Sequence, residues 1–167
     1  MKSIFDFVVE PLGSRYNNNK KVEGGDLILN TQIFTHQSVR LGIVNSLPTT
    51  GDTNIKVGDT VVVHHNVFRR YHDVRGVEKN GRSYIDDNNY LCSFEQIFLY
   101  KNKNEWKAPR GYSFVKPIES NNIFNLNKEK PSVGILKFLD ETLNGTIKEG
   151  DLVGFTPGSE YEFVVDD

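Results

Sequence analysis

Apolar residues along this chain come in short bursts that alternate with polar ones. "FDFVVEP", "VRLGIVNSL", "DTVVVHH", "EQIFLYK", "YSFVKPI", "SVGILKFL", "DLVGFTP" and "YEFVVD" are each rich in Val, Ile, Phe or Tyr and bounded by Gly, Pro, Asn or Asp. That pattern predicts strands separated by turns. No window keeps an i, i+3, i+4, i+7 apolar stripe for three turns, and the nearest candidate, "LCSFEQIFLY", also reads as a strand after a turn. The expected class is all-β.

The blocks recur. "VVEPL" (Val8 to Leu12) resembles "FVKPI" (Phe114 to Ile118), "LGIV" (Leu41 to Val44) resembles "VGIL" (Val133 to Leu136), and "IKVGDTVVV" (Ile55 to Val63) resembles "IKEGDLVGF" (Ile147 to Phe155). Pro11 and Pro117 lie 106 positions apart, whereas Gly42 and Gly134, like Gly58 and Gly150, lie 92 apart. Copy one therefore carries an excursion between its first and second blocks, where "EGGDLILNTQ" stands. In both copies a glycine able to take positive φ precedes an Asp able to bond nearby backbone, so Gly58-Asp59 and Gly150-Asp151 predict matching tight turns.

Residues 1–103 form the expected first module, with a loop at about 16–39 and a long hairpin at about 64–90. A polar connector at 104–111 leads to a second module at 112–167, and Trp106 is expected to pin that connector against a module. Copy two stops at Asp167, without a counterpart of "CSFEQIFLYK", so its sheet is expected to lack a closing strand. Such an open edge invites pairing, which implies either a truncated sequence or a strand from a neighbouring chain.

With 167 residues, 37% apolar positions and a net charge of -2, the chain can bury a core and presents no overall basic field. The single Cys92 offers no disulfide partner and suits a reducing compartment, so cytoplasm is expected. Asp6 and Glu10 interrupt the N-terminal apolar run, which argues against a signal peptide or membrane span.

Other candidate chemistry is thin. His64, His65 and His72 stand near Asp73, but on an extended strand His64 and His65 would point to opposite faces and could not share a metal. "VFRRYHDVR" mixes Arg69, Arg70 and Arg75 with Phe68 and Tyr71, a set able to stack on single-stranded nucleic acid, yet Asp73, Glu78, Asp86 and Asp87 offset the charge. "NGT" at Asn144 reads as an Asn-Gly turn rather than a glycosylation site. Phosphate-loop, dinucleotide, nucleophile-elbow and zinc-protease signatures are absent from the sequence. The expectation is a protein without catalytic residues, metal or cofactor.

The ordered set "FVVEPLGSRYNNNKKVEGGDLILNTQ…VRLGIVNSLP…IKVGDTVVVHHN" resembles the chaperonin-10 (GroES) co-chaperonin family, and more closely its two-barrel forms from tailed bacteriophages of marine bacteria. The resemblance spans most of residues 5–100 and, more weakly, 112–165. It implies two tandem GroES-like small β-barrels, a mobile loop, and a lid role on an ATP-driven chaperonin, in the host cytoplasm if phage-encoded. Gly24 and Gly25 would permit a turn while Leu27, Ile28 and Leu29 enter an apolar groove of the chaperonin. It further implies a homo-oligomeric ring of about seven subunits enclosing an unfolded client such as a phage capsid protein. Neither nucleic acid nor membrane belongs to this reading. The competing expectation is a phage structural adaptor that uses paired barrels in a permanent assembly, with "DLILN" as an ordinary edge strand.

Overall fold

The computed structural model describes residues 2–13, 15, 19–22, 25–28, 40–120, 129–143 and 145–159; for 19–22 and 25–28 the description is of the backbone. Helix among these residues is limited to two single 3-10 turns, His65–Phe68 and Phe94–Gln96. The rest is strand and turn. No helix among the described residues is long and apolar enough to cross a membrane.

Strand β1 (Phe7–Pro11) begins the first module; β2 (Asn19–Val22) and β3 (Gly25–Ile28) follow, then β4 (Arg40–Ser46) and β5 (Thr60–Val63). Next come β6 (Arg70–His72), β7 (Glu78–Asn80), β8 (Tyr84–Asp86), β9 (Asn89–Cys92), β10 (Ile97–Asn102) and β11 (Glu105–Lys107). Seven of these form one sheet in the order β11-β10-β5-β4-β1-β9-β8. The stretch read as a connector thus contributes β11, the edge strand beside β10.

The second module holds β12 (Phe114–Glu119), β13 (Glu129–Phe138) and β14 (Leu152–Gly154), in the order β12-β13-β14. It repeats the order and the central pairings of β1, β4 and β5. Pro11 lies opposite Gly42 and Pro117 opposite Gly134, and β1 and β12 carry a register shift at the matching step, Val8/Val9 and Phe114/Val115. Gly42 pairs with Val61 and Gly134 with Val153. The turns agree in detail: Gly58 and Gly150 have φ of 90° and 93°, and Asp59 and Asp151 accept the amides of Lys56 and Lys148 at 2.9 and 3.0 Å. Each module also has an isolated parallel bridge, Ser3 beside Pro48 and Ala108 beside Asp140.

The expectation of two closed barrels is corrected. In the first module β9 and β10 flank the five-strand order β10-β5-β4-β1-β9, yet only Ser93 to Gln96 separate them. A stretch that short spans at most about 17 Å, so the sheet must curl until its edges approach. Residues from both edges, Tyr90 and Cys92 on one and Ile97 and Tyr100 on the other, share a buried cluster with Phe7, Val9, Val44 and Val61. No ladder joins β9 to β10, however, so the curled sheet stays open. The second module is further from closure, with only three strands among the described residues.

A second apolar cluster holds the modules together. Val62, Phe98, Leu99 and Ala108 pack against Trp106, Tyr112, Phe114 and Phe138, with the rings of Phe98 and Tyr112 edge to face at 5.2 Å. Polar ties flank it. Glu141 accepts from the Tyr100 hydroxyl at 3.2 Å and the Asn54 amide at 2.7 Å, while buried Asp140 accepts the Gly111 amide at 2.6 Å. Burial, and then Glu141, pushes Tyr100 up to about 12.

Candidate functional site

The excursion in copy one is the first candidate. Between Pro11 and Arg40 the chain forms an antiparallel ribbon of β2 and β3, in which Lys20 faces Leu27 and Val22 faces Gly25. In the strand order this ribbon is a sheet of its own, paired with neither β1 nor β4. Gly25, Leu27 and Ile28 therefore lie on β3, whereas Gly24 and Leu29 fall outside the described residues. The corresponding stretch of copy two, from Glu119 to Glu129, is much shorter.

Arg15 ties the root of the excursion to the long hairpin. Its guanidinium donates to Asn80 Oδ1 at 2.7 Å and lies 4.8 and 5.1 Å from the ring centres of Tyr84 and Tyr90. Stacking on two rings restricts the exit direction of the chain. Sequence reading passed over Arg15, because nothing local distinguishes it from other surface arginines.

The second candidate is an apolar groove of about 500 Å³ in the second module. Its lining includes Val115, Leu136, Ile147, Val153 and Phe155, which are the repeat counterparts of Val9, Val44, Ile55, Val61 and Val63. Those five are the sealed interior of the first module. The contrast is sharpest at one position: Ile55 is 1% exposed and Ile147 40%. The offset that aligns the Gly-Asp turns also pairs these positions in the sequence, but it carries no sign that one set is buried and the other exposed.

The histidine and arginine candidates resolve into hairpin structure. The strand ends at Val63, and His64 then caps the 3-10 turn, its Nδ1 accepting the Asn66 amide at 3.2 Å. That bend overturns the opposite-face expectation: the rings of His64 and His65 stack at 4.3 Å. Burial, assisted by His64, Arg69 and Arg40, pushes His65 down to about 4. Such a pair repels a proton. Phe68 is buried, Arg69 lies over Tyr71 and Arg70 pairs with Glu78 at 3.3 Å, so the basic set is spent largely on its own hairpin. Asp73 Oδ1 accepts the amides of Arg75 and Val77 and shapes the hairpin turn. Among the described residues no group of three or more His, Cys, Asp or Glu is placed to hold a metal ion.

Comparison of the chain with protein-family models, with curated proteins and with solved structures found no match.

Proposed function

We propose that this chain is a co-chaperonin subunit whose excursion presents Leu27, Ile28 and Leu29 to an apolar groove on a chaperonin ring. The observation that supports it is the separate β2-β3 ribbon: β1 and β4 are antiparallel neighbours that a short turn could join, yet the chain inserts everything from Leu12 to Val39. Loops of that length inside compact domains are usually functional or linker-like. Here the insert carries three consecutive aliphatic residues beside two glycines.

Full burial of each aliphatic side chain contributes about 1.5–3 kcal/mol. Ordering the segment on contact takes back about 2–5 kcal/mol. One loop thus binds weakly. Several copies held in one ring would bind together at high effective concentration, and a small change per site in the chaperonin would release them all. ATP chemistry belongs to the partner in this reading, and the client is enclosed without being gripped by specific residues.

Ile28→Asp tests the anchor. The variant should keep the oligomeric mass of the wild type and lose at least about tenfold in chaperonin co-sedimentation with ADP, since an ion cannot enter the groove unpaired. Equal binding by variant and wild type would overturn the reading.

A further inference from the structure

The turn between β6 and β7 is tied down and yet left bare. The Asp73 amide donates to the Val77 carbonyl at 3.0 Å and the Gly76 amide to the Asp73 carbonyl at 2.9 Å, while Asp73 Oδ1 accepts the amides of Arg75 and Val77. Gly76, at φ 76°, lets the chain reverse there. Four hydrogen bonds thus hold Val74 in one place, where its side chain is fully exposed. Val77 and Tyr71 beside it are 49% and 41% exposed. A single apolar residue on a surface needs no explanation, but three gathered on one ordered turn form a patch.

Charge surrounds that patch. Residues 69–82 hold five of the chain's 20 lysines and arginines but only two of its 22 acids, so a chain of net charge -2 carries a basic hairpin. Arg69 and Arg70 are engaged within it, over Tyr71 and with Glu78. Arg75, Lys79 and Arg82 are exposed, and among the described residues none of the three makes an ion pair. The acids close by are occupied: Asp73 by backbone amides, Glu78 by Arg70, Asp86 by Asn89 and Asp87 by the Tyr84 hydroxyl. Lys79 stands opposite Tyr71 in the ribbon, and Arg75 lies in the turn between Val74 and Val77. Cations therefore flank the apolar side chains, with stems that can lie along an apolar surface while their heads stay at its polar boundary.

We infer that this hairpin tip docks on an anionic lipid surface, with Val74 and Val77 entering the headgroup layer and Arg75, Lys79 and Arg82 meeting the lipid phosphates and carboxylates. Apolar contact and attraction to anionic lipid together hold peripheral proteins at such surfaces. The remainder of the chain is acidic and is repelled, which turns the hairpin toward the lipid. Single-stranded nucleic acid fits less well, because the two rings that could stack on bases are taken: Phe68 is 1% exposed and Tyr71 lies under Arg69. Surface contact of this kind needs no membrane-spanning segment. The inference is independent of the capping role, since it concerns a different element and its test contains no chaperonin.

Vesicle sedimentation tests it. The full chain should bind vesicles of equal parts phosphatidylserine and phosphatidylcholine at least about tenfold better than vesicles of phosphatidylcholine alone, and added salt should weaken that binding. Joint Val74→Ser and Val77→Ser, which changes no charge, should lower binding to the mixed vesicles at least about fivefold. Joint Arg75→Gln and Lys79→Gln should lower it at least about tenfold. Lys137→Gln, on exposed β13 in the second module, should leave it unchanged. Every replaced side chain is exposed, so the urea midpoints of all these variants should match the wild type. Equal binding to the two kinds of vesicle would overturn the inference. So would full binding by the double valine variant, because charge alone would then account for the attraction. Tighter binding to single-stranded oligothymidylate than to the mixed vesicles would overturn it too, and would assign the hairpin to nucleic acid.

Discussion

Gly42 and Gly134 show how one side chain's absence sets a whole pairing. A Cβ at Gly134 would lie 2.8 Å from Val115 Cβ and 2.9 Å from the Lys116 carbonyl oxygen; at Gly42 it would meet the Glu10 carbonyl oxygen at 2.9 Å. In both repeats the residue opposite is a proline, which donates no ladder hydrogen bond, and the strands approach closely at that point. Gly134→Ala should cost about 1–3 kcal/mol through forced backbone movement, read as a lower urea midpoint with an unchanged slope. His65 yields a prediction in pH. An exposed histidine takes up its proton near 6.5, whereas the folded chain delays it to about 4, so between those values the unfolded state holds more protons. Stability from this group is thus intact above the ordinary histidine value and falls as pH drops through that window. Between about pH 6.5 and 4 the urea midpoint of the wild type should therefore fall more steeply than that of His65→Gln.

At the scale of elements, the strands and the paired turns follow from local chemistry, and they were legible. β1, β4, β5 and β14 fall within the predicted bursts, β12 runs one residue past its burst and β13 begins three residues before its own, and the Gly-Asp turns carry positive φ and the Asp-to-amide bonds that their residue types imply. The bend at His64 was not legible, because an unbroken run "VVVHH" gives no sign that the strand stops at Val63. Nor was β11: Glu105–Lys107 has no alternation long enough to read, and its pairing is supplied by β10 across a turn at Lys103 and Asn104, both at positive φ. Of the candidate site, the aliphatic triplet was named from sequence, and the ribbon places two of its members on β3. Arg15 and the groove were missed because each depends on partners distant in the chain.

For the whole molecule, the cluster around Phe98 packs residues of both modules against one another. Phe98 is 6% exposed and touches residues of both. Phe98→Ala should cost about 3–5 kcal/mol. Trp106 lies in the same cluster and is the chain's single tryptophan, so its fluorescence reports the junction directly. In wild type, unfolding followed by Trp106 emission and by backbone circular dichroism should coincide. In Phe98→Ala the fluorescence transition should come first, with the second module parting before the first; coincident curves in the variant would show that the cluster does not couple them.

The sequence by itself determined where strands run, where they turn and that one pattern occurs twice, because period, glycine φ and Asp-to-amide bonding act over a few residues. Only the tertiary structure decided that the first sheet curls without closing, that β9 and β10 seal its core from opposite edges, and that the matching surface of the second module lines a groove among the described residues. Those outcomes rest on contacts between residues far apart in the chain. Two stretches with the same local pattern therefore differ in burial, since burial depends on what the rest of the molecule brings to them.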